Sequence, residues 1–304
     1  MSASEVGSMI AMQGFAGLSL FTVLLLMALG LAIIFGQMGV INMAHGEFMA
    51  IGAYVVYYAS QLTHEYAPAL ASVYFVPAVV AAFAVAAAAG YGVEVLLVRR
   101  LYNRPLDTLL ATWGLSLAMQ QVFRSTFGAK EVSAVLPDWM LGSVVPVEGI
   151  DIPRNGIFVM LLTVLVSGGV YYILYRSRWG IRIRATTQNR LMSSAVGINT
   201  DRVDRFTFAL GCGIAGVAGA AFTTIGSTGP TSGSLYIVDT FLVVVFGGAA
   251  SLLGTIASAF SIAQAQSLLE FFLTSAMAKV LTLLSIIVIL MLRPQGLFVT
   301  RVRG

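Results

Sequence analysis

The chain has 304 residues, of which 58% are hydrophobic and only 10% charged, and its mean hydropathy is +0.90. A soluble domain carries about 25% charged residues, so this composition excludes a water-soluble enzyme or binding module and makes lipid the main solvent. The net charge of +4 does not mark a nucleic-acid partner, because the arginines gather in loops between apolar runs, as membrane topology requires.

Hydropathy divides the chain into segments at about 14–36, 48–62, 67–98, 106–127, 157–175, 206–226, 237–258, 260–275 and 279–292. A helix that crosses a bilayer needs about 20 apolar residues, and several segments supply them. The short alternating strands of a membrane barrel are not seen, and the 31 glycines suit helices that meet closely in lipid. The expected fold class is an all-α polytopic integral membrane protein. It forms a single transmembrane domain over 1–304 with eight or nine transmembrane helices. No Lys or Arg precedes Arg99, so the first run makes a poor signal peptide and is expected to remain as a span.

After that run comes "GQMGVINMAHGEF", Gly36 to Phe48. Gly36, Gly39 and Gly46 are poor helix formers, and Asn42 is a good N-cap. These residues predict a broken or re-entrant helix near 36–47, with a second helix starting at Asn42 and Glu47 in its first turns, where the dipole favours an acid. The next segment, 48–62, is short enough to be a half-helix. In hydrocarbon, irregular backbone survives only where protein buries it or water lines it. Two readings follow. In one, Gln37, Gly39, Asn42, His45, Gly46 and Glu47 line a solute path. In the other they form a structural kink bonded to neighbouring helices. Three polar side chains within six positions of lipid-embedded chain favour the path.

Arg99, Arg100 and Arg104 form a first basic loop, and seven arginines between Arg176 and Arg205 form a second. Together with Arg293, Arg301 and Arg303 they place these loops and the C-terminus on the cytoplasmic side. The segment between them, about 129–155, is rich in Pro, Gly and acids and is expected to be extracytoplasmic, as is the uncharged 226–236. Within 106–127, Gln120-Gln121 offers a path amide. In the second basic loop, Leu191, Met192, Ala195 and Val196 share a helical face. They predict a short surface helix over about 185–196, ended by Gly197 and followed by an Asn199 cap. Docking to a partner protein and attachment to anionic headgroups both fit this loop, about 176–205. Gly213, Gly216 and Gly219 predict close helix contact. "FGGAASLLGT", Phe246 to Thr255, is a second glycine break that either faces the first or merely packs. Glu94, Asp107, Arg124, Asp239, Glu270 and Lys279 are expected for the most part to snorkel or pair near span ends.

Some chemistry is missing. The only lysines, Lys130 and Lys279, lie in no phosphate-binding loop. Cys212 is alone, and with His45 and His64 as the only histidines no metal site is expected. No nucleophile elbow is present, so the chain is not expected to be an enzyme.

"LGLAIIFGQMGVINMAHGEFMAIGAY" (29–54) resembles the permeases of branched-chain amino acid and urea ABC importers. So do "RIRATTQNRLMSSAVGINTDRV" (182–203), "FGGAASLLGT" and the closing "RPQGLF" (293–298). "NMAHGE" and "ATWGLSLAMQQVFRSTFGA" (111–129) are similar to the urea-type members. The resemblance implies a multi-pass bacterial inner-membrane subunit that moves urea or short amides by alternating access. Its partners would be a paralogous permease, two ATPase subunits, a periplasmic substrate-binding protein and membrane lipid, without nucleic acid. It implies no cofactor in this chain, with ATP and Mg held by the ATPase subunits. It also implies ATPase coupling through Arg184, Gln188, Asn189, Met192, Ser193, Gly197 and Asn199. A branched-chain amino acid permease differs in solute alone, and a passive urea channel would need no ATPase. Few ionisable groups near the path favour a neutral solute, although helix ends also serve an amino acid.

Overall fold

A computed structural model describes residues 3–102, 104–147, 150–248, 251–293 and 296. Its helices in chain order are α1 (Ala3–Met38), α2 (His45–Tyr66), α3 (Phe75–Leu96), α4 (Pro105–Phe127), α5 (Arg154–Tyr171), α6 (Arg178–Gln188), α7 (Arg190–Ala195), α8 (Thr200–Phe222), α9 (Ser232–Gly247), α10 (Leu252–Phe272) and α11 (Ser275–Leu292). Among the described residues, six helices are long and apolar enough to cross a membrane: α1, α3, α5, α8, α10 and α11. The expected eight or nine crossings exceed these six. Helices α2 and α4 have the length but carry more polar residues, and α9 has only 16 residues.

Helix α8 is the hub, buried along almost its whole length. Lipid tails are as apolar as leucine, so helices in a membrane gain from close packing rather than from escaping water. The small residues of α8 supply that closeness, as the glycine spacing predicts. A Cβ on Gly211 would meet the Gly30 carbonyl of α1 at 2.7 Å, and one on Gly216 would meet the Ala82 carbonyl of α3 at 2.6 Å. One on Gly219 would run into the Met49 carbonyl of α2. Helix α1 is apolar all round and buried from Val23 to Ile34, as suits a central helix. Helices α5 and α11 lie at the perimeter, with rows such as Leu161, Val164 and Leu165 exposed.

Four expectations change. The half-helix expected at 48–62 is a 22-residue helix that begins at His45, because His45, Gly46 and Glu47 are buried in protein rather than lipid. The spans expected at 237–258 and 260–275 are instead α9 and α10, divided before Ser251. Gly and Ala keep hydropathy high across that break, while the Ser251 hydroxyl accepts from Gly254 N at 3.0 Å and starts α10. The loop at 129–155 carries an antiparallel hairpin, β1 (Ser143–Val147) and β2 (Ile150–Pro153). The single helix expected at 185–196 is two, α6 and α7. Asn189 separates them, since its side chain accepts from Met192 N at 2.9 Å and caps α7. Of the "RPQGLF" motif, only Arg293 and Gly296 lie within the described residues, and Arg301 and Arg303 lie outside them.

Candidate functional site

Helix α1 ends at Met38, and Gly39 turns the chain with φ 65°, a conformation that side chains resist. The chain then runs back into the bundle. His45 Nε2 lies 3.1 Å from the Met27 carbonyl of α1. Met27 is eleven residues before Met38, so α2 begins about 16 Å inside the end of α1 at 1.5 Å per residue. Helix α4 gives the same depth. Its Ser116 bonds Glu47 and lies eleven residues, again about 16 Å, from its start at Pro105. A depth of about 16 Å is roughly half the thickness of a 30 Å hydrocarbon layer, so the first turn of α2 lies deep in the bundle.

That turn is polar and buried. Glu47 Oε1 accepts from Ser116 Oγ at 2.9 Å and from Gln120 Nε2 at 2.8 Å. Met43 N donates to Thr112 Oγ1 at 3.1 Å, and Ala44 N donates to Asn42 Oδ1 at 3.1 Å. A carbonyl only accepts, so His45 Nε2 carries the proton toward Met27 and Nδ1 of the neutral ring is an acceptor. Asn42 Nδ2, His45 Nδ1 and Glu47 Oε2 are buried without a hydrogen-bond partner among the described residues. Each such atom costs about 1–3 kcal/mol, and three in one turn is a concentration that packing alone does not explain. Asn42 caps the turn before α2, not the helix itself, whose N-cap is Ala44.

Helix α9 starts at the same place. Gly46 and Gly233 are the second residues of α2 and α9, and a Cβ on Gly233 would come 3.0 Å from Glu47 N. Two helix N-termini thus converge beside a carboxyl group. Each brings backbone N–H groups and the positive end of a helix dipole.

A second cluster lies at the arginine-rich end. A cleft of about 400 Å³ is lined by Gly36, Gln37, Gly39, Tyr102, Arg190 and Asp204, among others. Arg190 Nη1 is 2.6 Å from the buried Asp204 carboxylate, Arg190 Nη2 is 3.4 Å from Asp201, and Arg99 also pairs with Asp201. The Arg190 guanidinium lies 4.8 Å from the Tyr102 ring centroid. Burial, reinforced by the nearby Asp204 and Glu94 charges, pushes the Tyr102 hydroxyl well above its ordinary range and keeps it protonated. Thr187 Oγ1 donates to the Gln37 carbonyl at 2.8 Å, which ties α6 to the end of α1. Arg184 donates to the Leu174 carbonyl. Gly197, with φ 87°, closes α7: its N–H donates to Ser194 O at 3.1 Å and Ile198 N donates to Ser193 O at 3.0 Å. Asn199 then caps α8 through Arg202 N at 2.9 Å.

The sequence-derived path residues therefore divide. Asn42, His45, Gly46 and Glu47 meet at depth, whereas Gln37 and Gly39 face the cleft at the arginine-rich end. Among the coupling residues, Gln188, Asn189, Met192, Gly197 and Asn199 are exposed, Arg184 is half-buried and Ser193 is buried. Leu191, Met192 and Val196 are 83%, 62% and 70% exposed, an uncovered apolar face. Among the described residues, the second glycine break reaches the first where Ser251 and Gln37 line one small cleft; Gly247 and Gly254 meet backbone to backbone, which is packing. Lys279 and Asp239 pair at 2.8 Å as expected. Glu94 neither snorkels nor pairs, and its oxygens are buried without partners among the described residues. Sequence reasoning missed Thr112, Ser116, Tyr102, Arg190 and Asp204. One signal was present for α4: Thr108, Thr112, Ser116 and Gln120 recur every four residues, opposite the exposed Leu106, Leu110, Trp113 and Leu117.

A family described as the branched-chain amino acid transport system permease component matches residues 14–290. The high-affinity branched-chain amino acid transport system permease protein LivH of Salmonella typhimurium is 27% identical, over 94% of this chain and 94% of its own length. The Pseudomonas aeruginosa permease protein BraD of the same kind of system is 27% identical over 92% of this chain and 93% of its own. A probable LivH of Methanocaldococcus jannaschii is 26% identical over 90% and 88%. No solved structure matches the chain.

Proposed function

Because the chain belongs to the family of branched-chain amino acid transport permease components, we propose that it is the membrane-spanning subunit of an ATP-driven importer whose solute is an amino acid. The observation that carries the solute class is the meeting of two helix N-termini beside Glu47 deep in the bundle. An α-amino acid presents a carboxylate and an ammonium on one carbon. Half-helix N-termini near a midplane serve carboxylates, and Glu47 Oε2 provides an acceptor for the ammonium. Asn42 Nδ2 adds a donor. Gly46 and Gly233 close the gap between the two helices in this conformation, so entry requires α2 and α9 to part.

The energy comes from separate ATPase subunits. They dock on the exposed face of α7, and a binding protein delivers solute on the opposite, extracytoplasmic side near 129–155. The chain works beside a paralogous permease in a bacterial inner membrane, its arginine-rich end in the cytoplasm. ATP closure moves α7, the Arg190–Asp204 pair carries that movement to α8, and the bundle alternates its access.

A second reading, urea as solute, has one observation in its favour. The segment that resembles urea-type permeases, 111–129, contributes Ser116 and Gln120, the two donors on Glu47. Uptake of labelled leucine and labelled urea in cells with and without the ATPase subunits tests both. Concentrative leucine uptake that needs the ATPase and resists excess urea is the expected result. Leucine-insensitive urea uptake assigns the second reading, and accumulation without any ATPase defeats both.

A further inference from the structure

We propose that the groove between α3, α8 and the α5–α6 junction is a binding site for an anionic phospholipid, which lays an acyl chain between the helices and its phosphate between two arginines. The groove has a volume of about 760 Å³ and shares no lining residue with the cleft at the charged cluster. Its deep part is lined by Phe83, Ala87, Ala88 and Leu210, and its mouth by Tyr91, Trp179 and Phe206. From Tyr91 to Phe83 it follows α3 for eight residues, about 12 Å. Small residues on α3 form the floor, so the helices leave a slot instead of closing. A slot facing hydrocarbon cannot stay wet, and an acyl chain is the apolar filler that the surroundings offer.

The mouth supplies the charge. Arg182 lies 6.0 Å from the Trp179 ring centroid, and Arg205 Nη1 donates to the Tyr91 hydroxyl at 3.3 Å. Both aromatic residues line the groove, so each carries a guanidinium to its rim. No acidic side chain pairs with Arg182 or Arg205 among the described residues; the nearby Asp201 is held by Arg99 and Arg190. Trp and Tyr mark the depth of the headgroups, and arginine concentrates at the leaflet where anionic lipids carry the negative potential. A phosphate there meets the Arg182 and Arg205 guanidinium groups while its chain enters the slot below. A zwitterionic lipid fills the slot equally well but gains less from the arginines, so selectivity for net negative charge is the signature.

Fluorescence of Trp179 reads the site directly. The full chain carrying Trp113→Phe and Trp139→Phe is reconstituted in phosphatidylcholine vesicles containing brominated phosphatidylglycerol or brominated phosphatidylcholine. Brominated phosphatidylglycerol should quench Trp179 at a lower mole fraction than brominated phosphatidylcholine. Each of Arg182→Gln and Arg205→Gln should weaken that preference about fivefold. Ala88→Phe, which fills the slot, should reduce quenching by both lipids. Equal quenching by the two lipids would mean ordinary surrounding lipid and overturns the site. Absence of quenching would mean that a polypeptide covers the groove, and it overturns the site too. Mass spectrometry of lipid retained by the unmodified chain and by Arg182→Gln provides the same comparison without replacing any tryptophan. Equal retention of phosphatidylglycerol by the two chains overturns the proposal.

Discussion

The polar turn at depth and the charged cluster at the arginine-rich end are held by the same hub helix but by different forces. Around Glu47 the partners are neutral hydroxyls, an amide and peptide groups. Around Asp204 the partner is the Arg190 guanidinium, which also lies against the Tyr102 ring. The difference follows from access to water. A full counter-charge deep in the bundle would need its own desolvation to be offset, and buried pairs seldom return much net stability. Arg190 reaches Asp204 from a half-exposed position, so its own desolvation is smaller. Depth selects hydrogen bonds, and the rim can use charge.

Removing the shared hub should break both regions at once and have the largest effect. Gly219→Leu forces a side chain into the Met49 carbonyl, where overpacking costs beyond the usual 1–3 kcal/mol because backbone cannot yield. Little monodisperse chain should be recovered on size exclusion. Glu47→Leu separates the regions: it strips the acceptor from Ser116 and Gln120, at about 0.5–1.5 kcal/mol for each hydrogen bond. Uptake should fall at least tenfold while the complex still assembles, with Glu47→Gln milder and Asn42→Leu similar to it. Normal uptake by assembled Glu47→Leu and Asn42→Leu complexes would reduce the turn to a packing kink. Met192→Asp, on the uncovered face of α7, should cut co-purification of the ATPase several-fold and leave the chain's own melting temperature unchanged. Arg190→Ala leaves Asp204 buried without its partner and should lower stability by about 1–3 kcal/mol. ATP hydrolysis should then run ahead of transport, and Arg190→Lys should restore the match in part. The smallest effect is salt. Exposed pairs are screened, so raising ionic strength should loosen coupling through Asp201 slightly and leave solute binding at Glu47 unchanged.

Part of the deep region was legible. Gly36, Gly39 and Gly46 around Asn42 pointed to an interruption of helix, and α1 ends at Met38 while α2 starts at His45. The starting residue was not legible, because capping rules assume a helix end in water, whereas this one is buried and its Asn42 serves the preceding turn. Ser116 and Gln120 showed a four-residue register but not which helix they faced, since pairing between α2 and α4 is tertiary. The convergence of α2 and α9 rests on Gly46 and Gly233, 187 residues apart, and no local pattern joins them. The rim was legible in composition alone. Its arginines stood out, yet the choice of Asp204 for Arg190 depends on α7 folding back on α8, and the break at Asn189 was hidden inside one apolar periodicity.

The bend at Gly197 has a mechanical consequence. Only four residues, Val196 to Asn199, join α7 to α8, and they are clamped by Ile198 N on Ser193 O and by the Asn199 cap. A joint that short has no slack in which to lose a displacement. A push delivered to α7 arrives at the one helix on which α1, α2 and α3 are all mounted, so a six-residue crank is geared to the whole interior.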